Sequence, residues 1–264
     1  MALIDFVLLF IFFILGTSIG SFLNVLIDRL PKGQSIIKDR SHCDHCKKKI
    51  RDYDLIPIVS YFILSGHCRF CKKKLSIYYP LVEFLSGLNF TLIFLIFTPH
   101  LQNLFQAIYF TSLLVITSLL ITIFFTDLKY MIIPDSILIC LLIFSIPKLI
   151  FSPFPINYLT QILTALISFF LFYLICFLTK GKGLGGGDVK LAFLIGLLNS
   201  PYLAISSFYI AFLTGATIGV ILIFTGNKKF GQKIPFGPFL VLGCYLSILL
   251  KPQLEAMIKS VFNF

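Results

Sequence analysis

The sequence has no tryptophan and very little charge. Asp, Glu, Lys and Arg make up only 12% of its 264 residues. Soluble domains carry about a quarter, so a soluble globular protein is excluded. Disorder is excluded by the opposite excess: 58% of the residues are hydrophobic, 31 are Phe, and the mean hydropathy is +0.98. Acids are scarcest, eleven in all, so each can be weighed singly. There is no H-E-x-x-H, no Ser/His/Asp set, and no G-K-[ST] after the glycine-rich stretch 183–187. These absences remove the zincin, serine-hydrolase and P-loop readings. His100 is the one histidine outside residues 28–79.

What is present is a series of long apolar runs, the pattern of an all-α polytopic membrane protein. The first covers 3–27. It is too long for a signal-peptide core and lacks a basic n-region and a small-residue cleavage site, so it reads as a retained helix. Further runs lie at 80–98, 104–126, 132–150, 156–179, 189–199, 202–225 and 235–250, giving about eight transmembrane helices. The run at 189–199 is short and only Asn199-Ser200-Pro201 separates it from the next. Seven spans, one of them a broken helix, therefore stays open. The chain divides into a first transmembrane helix (1–27), a polar loop domain (28–79) and a transmembrane core (80–264).

Charge orients the spans. The formal net charge is +11, from 22 Lys+Arg against 11 Asp+Glu. Twelve of the basic residues fall in 28–79. With eight spans, Lys129, Lys180, Lys182, Lys190, Lys228, Lys229 and Lys233 share that side. Only Lys148, Lys251 and Lys259 lie opposite. By the positive-inside rule the loop is cytoplasmic and both termini are outside. The basicity is topology plus attraction to the anionic lipid bilayer, and it calls for no nucleic-acid partner.

Seven cysteines occur. Cys140, Cys176 and Cys244 stand alone in apolar runs and read as small buried hydrophobes. The others form Cys43-x2-Cys46 and Cys68-x2-Cys71, two pairs 21 residues apart. This is zinc-knuckle spacing, and four thiolates make a closed structural site. A reducing cytoplasmic loop would not keep disulfides. His42, His45 and His67 stand beside the ligands.

Among the acids, Asp5 and Glu255 lie near the outer ends, and Asp39, Asp44, Asp52 and Asp54 read as loop surface. Asp28 and Glu83 end the first and begin the second span, in reach of Lys and Arg. Asp127 closes an unbroken apolar run, and Asp188 opens another after Gly183–Gly187. Carboxylates at a membrane boundary are costly and mark functional sites. Their structural alternatives are a salt bridge from Asp127 to Lys129 or Lys190, and a helix N-cap at Asp188. Asp135, after Pro134, reads as an N-cap. A facing pair, Asp127 and Asp188, can share one proton; one then activates a water while the other protonates the scissile carbonyl. The glycines let an extended peptide lie alongside.

At this point the residues resemble the type IV prepilin peptidase family, membrane aspartic proteases of the GxGD type. The opening block is Gly20-Ser21-Phe22-Leu23-Asn24-Val25-Leu26-Ile27-Asp28-Arg29-Leu30-Pro31. Ile56-Pro57-Ile58-Val59-Ser60-Tyr61, Gly66–Cys71 and Tyr79-Pro80-Leu81-Val82-Glu83 follow. Asp127 to Asp135 fits D-x6-P-D, Gly185 to Leu191 fits G-x-G-D-x-K-L, and Pro235–Phe239 fits the last block. The resemblance implies removal of the basic leader of type IV prepilins or pseudopilins at the cytoplasmic face of the bacterial inner membrane. It implies Asp127 and Asp188 as catalytic residues and no catalytic role for Asp135. Members with the Cys loop commonly also N-methylate the new N-terminal residue with S-adenosylmethionine. Tyr78 stands where the family usually has Arg. No nucleotide fingerprint places the methyl donor; Glu83, at the loop–helix junction, is a candidate for holding the amine. The rival readings are a peptidase alone with a zinc scaffold, and a transporter or assembly scaffold using the two aspartates as ion ligands.

Overall fold

The computed structural model describes residues 3–37, 40–43, 45–97, 103–153, 156–181, 183–226, 232 and 234–250, the side chains of 3–5 excepted. Asp39, Asp44, His100, Glu255 and Lys182, Lys228, Lys229, Lys233, Lys251 and Lys259 lie outside the described residues. Among those described there is no strand, and the helices are α1 (Leu3–Arg29), α2 (Val59–Ile63), α3 (Tyr78–Phe97), α4 (Leu104–Tyr130), α5 (Asp135–Ile150), α6 (Tyr158–Leu178), α7 (Gly186–Leu198), α8 (Pro201–Phe224) and α9 (Gly237–Leu249). Five of them, α1, α3, α4, α6 and α8, are long and apolar enough to cross a bilayer. The chain is a multi-pass membrane protein.

Two compact units emerge, Met1–Leu101 and Gln102–Phe264. In the first, α1 and α3 form an antiparallel hairpin with the polar loop between them. Gly16 and Gly20, spaced as G-x3-G, let the backbones nearly touch. A Cβ on Gly16 would lie 2.8 Å from the Gly87 Cα, and one on Gly20 2.7 Å from the Glu83 Cα. In lipid, where apolar burial drives little, such close van der Waals packing is what joins helices. Asn24 Nδ2 donates to the Tyr79 carbonyl across the pair (3.1 Å).

In the second unit the helices alternate in direction. Lys148 near the end of α5 donates from Nζ to the Leu198 carbonyl at the end of α7. Lys190 near the start of α7 meets Asp135 at the start of α5. Thus α5 and α7 run parallel, away from the Asp127 end of α4. Helix α6 runs against α7: Phe169 meets Phe193, and Cys176 donates to the Leu184 carbonyl. Helix α8 begins at the far end, where Ser207 meets Ser247, and returns so that Gly215 reaches Phe236 and Phe239. The chain therefore reverses at Asn199-Ser200, both extended, instead of continuing as one broken helix. Inside buried α4, Thr117, Ser118, Thr122 and Thr126 return their hydroxyls to carbonyls four residues back. Polar side chains thereby cost the apolar interior little. Cys244 is buried as expected, but Cys140 is exposed.

Candidate active site and metal centre

Asp127 sits in the last turn of α4. Met131, in the left-handed region at φ 55°, caps that turn through its N–H to the Asp127 carbonyl (2.8 Å), and Pro134 follows. Asp188 sits in the first turn of α7, whose N-cap is Gly185. Its Oδ2 accepts the Gly185 N–H at 2.9 Å, the return half of a capping box. Asp127 Oδ2 likewise accepts the Gly237 N–H at 2.9 Å, from the start of α9. Each carboxyl is thus pinned through one oxygen by a glycine amide. Among the described residues no partner is recorded for either Oδ1. Both aspartates are buried, interact electrostatically, and line one cleft of about 360 Å³. Its other walls are glycine-rich (Gly181, Gly183, Gly185, Gly215) or apolar (Met131, Leu184, Phe236, Phe239).

The structural alternatives for these acids resolve differently from the expectations. Asp127 pairs with neither lysine offered for it: Lys190 is bound to Asp135, at 2.7 Å, in an exposed pair. Asp188 is the third helical residue and not the N-cap. Asp135 is no N-cap either. Pro134 holds that position with no side-chain bond, and Asp135 is the first helical residue, so its carboxylate is free to reach Lys190. Asp54 is not loop surface. Its side chain is 5% exposed and accepts two bonds from Arg69, Nε to Oδ2 at 2.8 Å and Nη2 to Oδ1 at 2.6 Å. That fork holds the Asp54 carboxyl below its ordinary range. Asp52 pairs with Arg40 at the surface.

The four cysteines of the loop do converge. The Sγ atoms of Cys43, Cys46, Cys68 and Cys71 lie within 4.8 Å of one another, and Cys43 and Cys71 are 3.9 Å apart. Four sulfurs about 2.3 Å from a central zinc would be spaced by about 3.8 Å, so the donor set fits the ion. The amides of Cys71, first, and Phe70 bond the Cys68 sulfur and lower its pKa to about 7. The Lys73 amide acts the same way on Cys71. Burial and bonding to the neighbouring thiols outweigh it, and Cys71 is pushed up to about 11.

The knuckles are two copies of one unit. His42-Cys43-x2-Cys46-Lys47-Lys48-Lys49 recurs 25 residues on as His67-Cys68-x2-Cys71-Lys72-Lys73-Lys74. The bonds repeat in register: Cys43 N–H to Lys48 O and Cys68 N–H to Lys73 O, Ile50 N–H to Ser41 O and Leu75 N–H to Gly66 O. Lys47 and Lys72 both turn the chain at positive φ (57° and 56°). The repeat is legible in the sequence, through the shared His-Cys-x2-Cys-Lys-Lys-Lys pattern. Glu83 pairs with no cation. Its Oε2 accepts the Ile58 N–H at 2.7 Å. Asp28 accepts from the Tyr79 hydroxyl (2.9 Å).

Fold and site together define a multi-pass membrane protein with paired aspartates in one cleft and a four-cysteine metal-binding loop. Residues 14–97 match the Bacterial Peptidase A24 N-terminal domain, and residues 114–220 match the Type IV leader peptidase family. A Prepilin leader peptidase/N-methyltransferase of Bacillus subtilis is 34% identical over 242 residues, 92% of this chain and 94% of its own. Proteins of the same name from Myxococcus xanthus and Pseudomonas aeruginosa are 30% and 27% identical, over 82% and 91% of this chain and 63% and 90% of theirs. No solved structure matches the chain significantly. The chain belongs to the type IV leader peptidase family.

Proposed function

We propose that this chain removes the basic leader of type IV prepilins or pseudopilins and then N-methylates the exposed residue, with S-adenosylmethionine as methyl donor. The observation that carries the peptidase reading is the meeting of Asp127 and Asp188 in one cleft, each pinned through Oδ2 by a glycine amide. Sharing one proton, the ionised member takes a proton from water while the protonated member polarises the scissile carbonyl. Roles reverse as the amine leaves. The glycine wall gives an extended peptide backbone room beside Asp188. The basic residues of the Asp127 side support a cytoplasmic active-site face, in the bacterial inner membrane. Cys43, Cys46, Cys68 and Cys71 would hold zinc as a structural ion that joins the two knuckles.

The deciding experiment uses purified protein, a full-length prepilin and labelled methyl donor, with product masses read separately for leader loss and methyl gain. Asp127→Asn and Asp188→Asn should each reduce cleavage by about 10³-fold or more, because dyad members act as a unit. Normal leader removal by either folded variant would end the aspartate mechanism.

A further inference from the structure

Glu83 is a buried carboxyl group, 8% exposed, in the second turn of a membrane-crossing helix, and no cation meets it among the described residues. A carboxylate at such depth normally faces a partner of opposite charge. Arg29 donates to the Ser35 carbonyl at 2.9 Å, and Asp28 accepts from Tyr79.

The loop, meanwhile, is bent out of its way to reach this group. Ile58 adopts φ 63°, ψ −54°, and the Val59 N–H turns back on the Pro57 carbonyl at 2.5 Å. This is the rare γ-turn, in a β-branched residue that strongly disfavours positive φ. Strain of this kind persists where the surroundings over-determine it, as at functional sites. Its result is the 2.7 Å bond from the Ile58 N–H to Glu83 Oε2. Across α1, Gly20 packs against the Glu83 Cα. A carboxylate offers about four acceptor sites, so about three remain for a ligand.

We infer that Glu83 is the anchor for the α-amine of the leaderless chain, its missing cation being the new N-terminal ammonium. Ile58 is the positioning residue that fixes the carboxyl. The inference rests on the methyltransferase reading above and deepens it. Glu83 holds the ammonium and takes one of its protons. The freed nitrogen lone pair forms the N–C bond to the donor's methyl carbon as the C–S bond breaks, and the neutral thioether leaves.

The test supplies purified protein, S-adenosylmethionine and a synthetic leaderless peptide with a free amine, so that methyl transfer is read apart from cleavage. Glu83→Gln keeps an oxygen for the Ile58 N–H and removes only the charge and the basicity. At pH 7 methylation should fall on the order of 10²-fold, the usual worth of a positioned general base. Leader cleavage should stay normal. At pH 9 a free α-amine, with its ordinary pKa of about 7.7–8.0, is already deprotonated, so much of the deficit should disappear. Unchanged methylation at pH 7, or a deficit that pH 9 does not relieve, would overturn the assignment. The unaltered protein gives a second measurement that needs no variant. The leaderless peptide should inhibit methylation of a labelled prepilin product, and its N-acetylated form should not; equal inhibition would also overturn it. No methyl transfer by the unaltered protein at all would instead sink the methyltransferase reading itself.

Discussion

Gly237 contributes no side chain, yet the geometry makes it the most exacting position beside the aspartates. A Cβ there would stand 2.6 Å from Asp127 Oδ2, 3.1 Å from its Cγ and 3.2 Å from Ile133 Cδ1. Reaching the 3.4 Å of an ordinary contact needs a retreat of about 0.8 Å, and Ile133 closes the other side. Gly237→Ala should therefore tilt the Asp127 carboxyl and stretch the amide bond that aims it, which the proposed dyad could not tolerate. A misplacement near 1 Å costs about 10²-fold, or about 2.7 kcal/mol of transition-state stabilisation. On the proposed mechanism the loss should fall on kcat with KM little changed, because the contact is to the proposed catalytic carboxyl and not to bound peptide. Gly186→Ala is the internal control. It lies in the GxGD block itself, but nothing stands within 4 Å of its added Cβ. In the first turn of α7, alanine is also the better helix former. Initial rates of leader release by mass spectrometry, with melting temperatures to verify folding, give the comparison. Gly237→Ala cleaving within about threefold of the parent, or Gly186→Ala failing as badly, would refute the steric argument.

Other expectations follow from the same contacts. Asp135→Asn breaks an exposed ion pair worth about 0–1 kcal/mol, so cleavage should stay within about fivefold and melting should barely move; complete loss in a folded protein would place Asp135 in the chemistry. Cys43→Ser or Cys68→Ser removes one ligand of four, and elemental analysis should find zinc lost. Methylation should then fall far more than cleavage, and full methylation in either variant would count against an ordered metal scaffold. Asp54 has its folded pKa lowered, first by the Arg69 hydrogen bond. Its contribution to loop stability is thus complete above the unfolded carboxylate value of about 3.9 and is lost as pH falls through the lowered value. As pH falls from 5 to 2, hydrogen-exchange protection in the loop, taken relative to the intrinsic rate, should drop by a component that Asp54→Asn lacks; identical profiles would contradict it.

Much of this molecule was legible in one dimension. The run 104–126 became α4 and 202–225 became α8 because a polypeptide in lipid must satisfy its own backbone, and continuous apolar sequence leaves only the helix. Asp127 and Asp188 stood out because a charged group beside such runs is rare. Cysteine spacing identified a metal-binding set, since two-residue gaps return both sulfurs of a knuckle to one side. Interactions between distant residues were not legible. Proximity to Lys suggested an ion pair for Glu83, whereas a strained Ile58 turn 25 residues earlier meets it instead. Asp54 looked like surface until Arg69 folded onto it.

Local pattern determined which segments are helices, which carboxylates end or open apolar runs, and which cysteines form each knuckle. Composition and short-range spacing control those choices directly. Tertiary structure alone decided what each polar group touches. The Gly237 amide reaches Asp127 across 110 residues, and the reversal at Asn199-Ser200 sends α8 back so that Gly215 meets Phe236 and Phe239 in the cleft. Such contacts arise from close packing of several helices at once, and packing is a property of shapes in three dimensions that no spacing along the chain encodes.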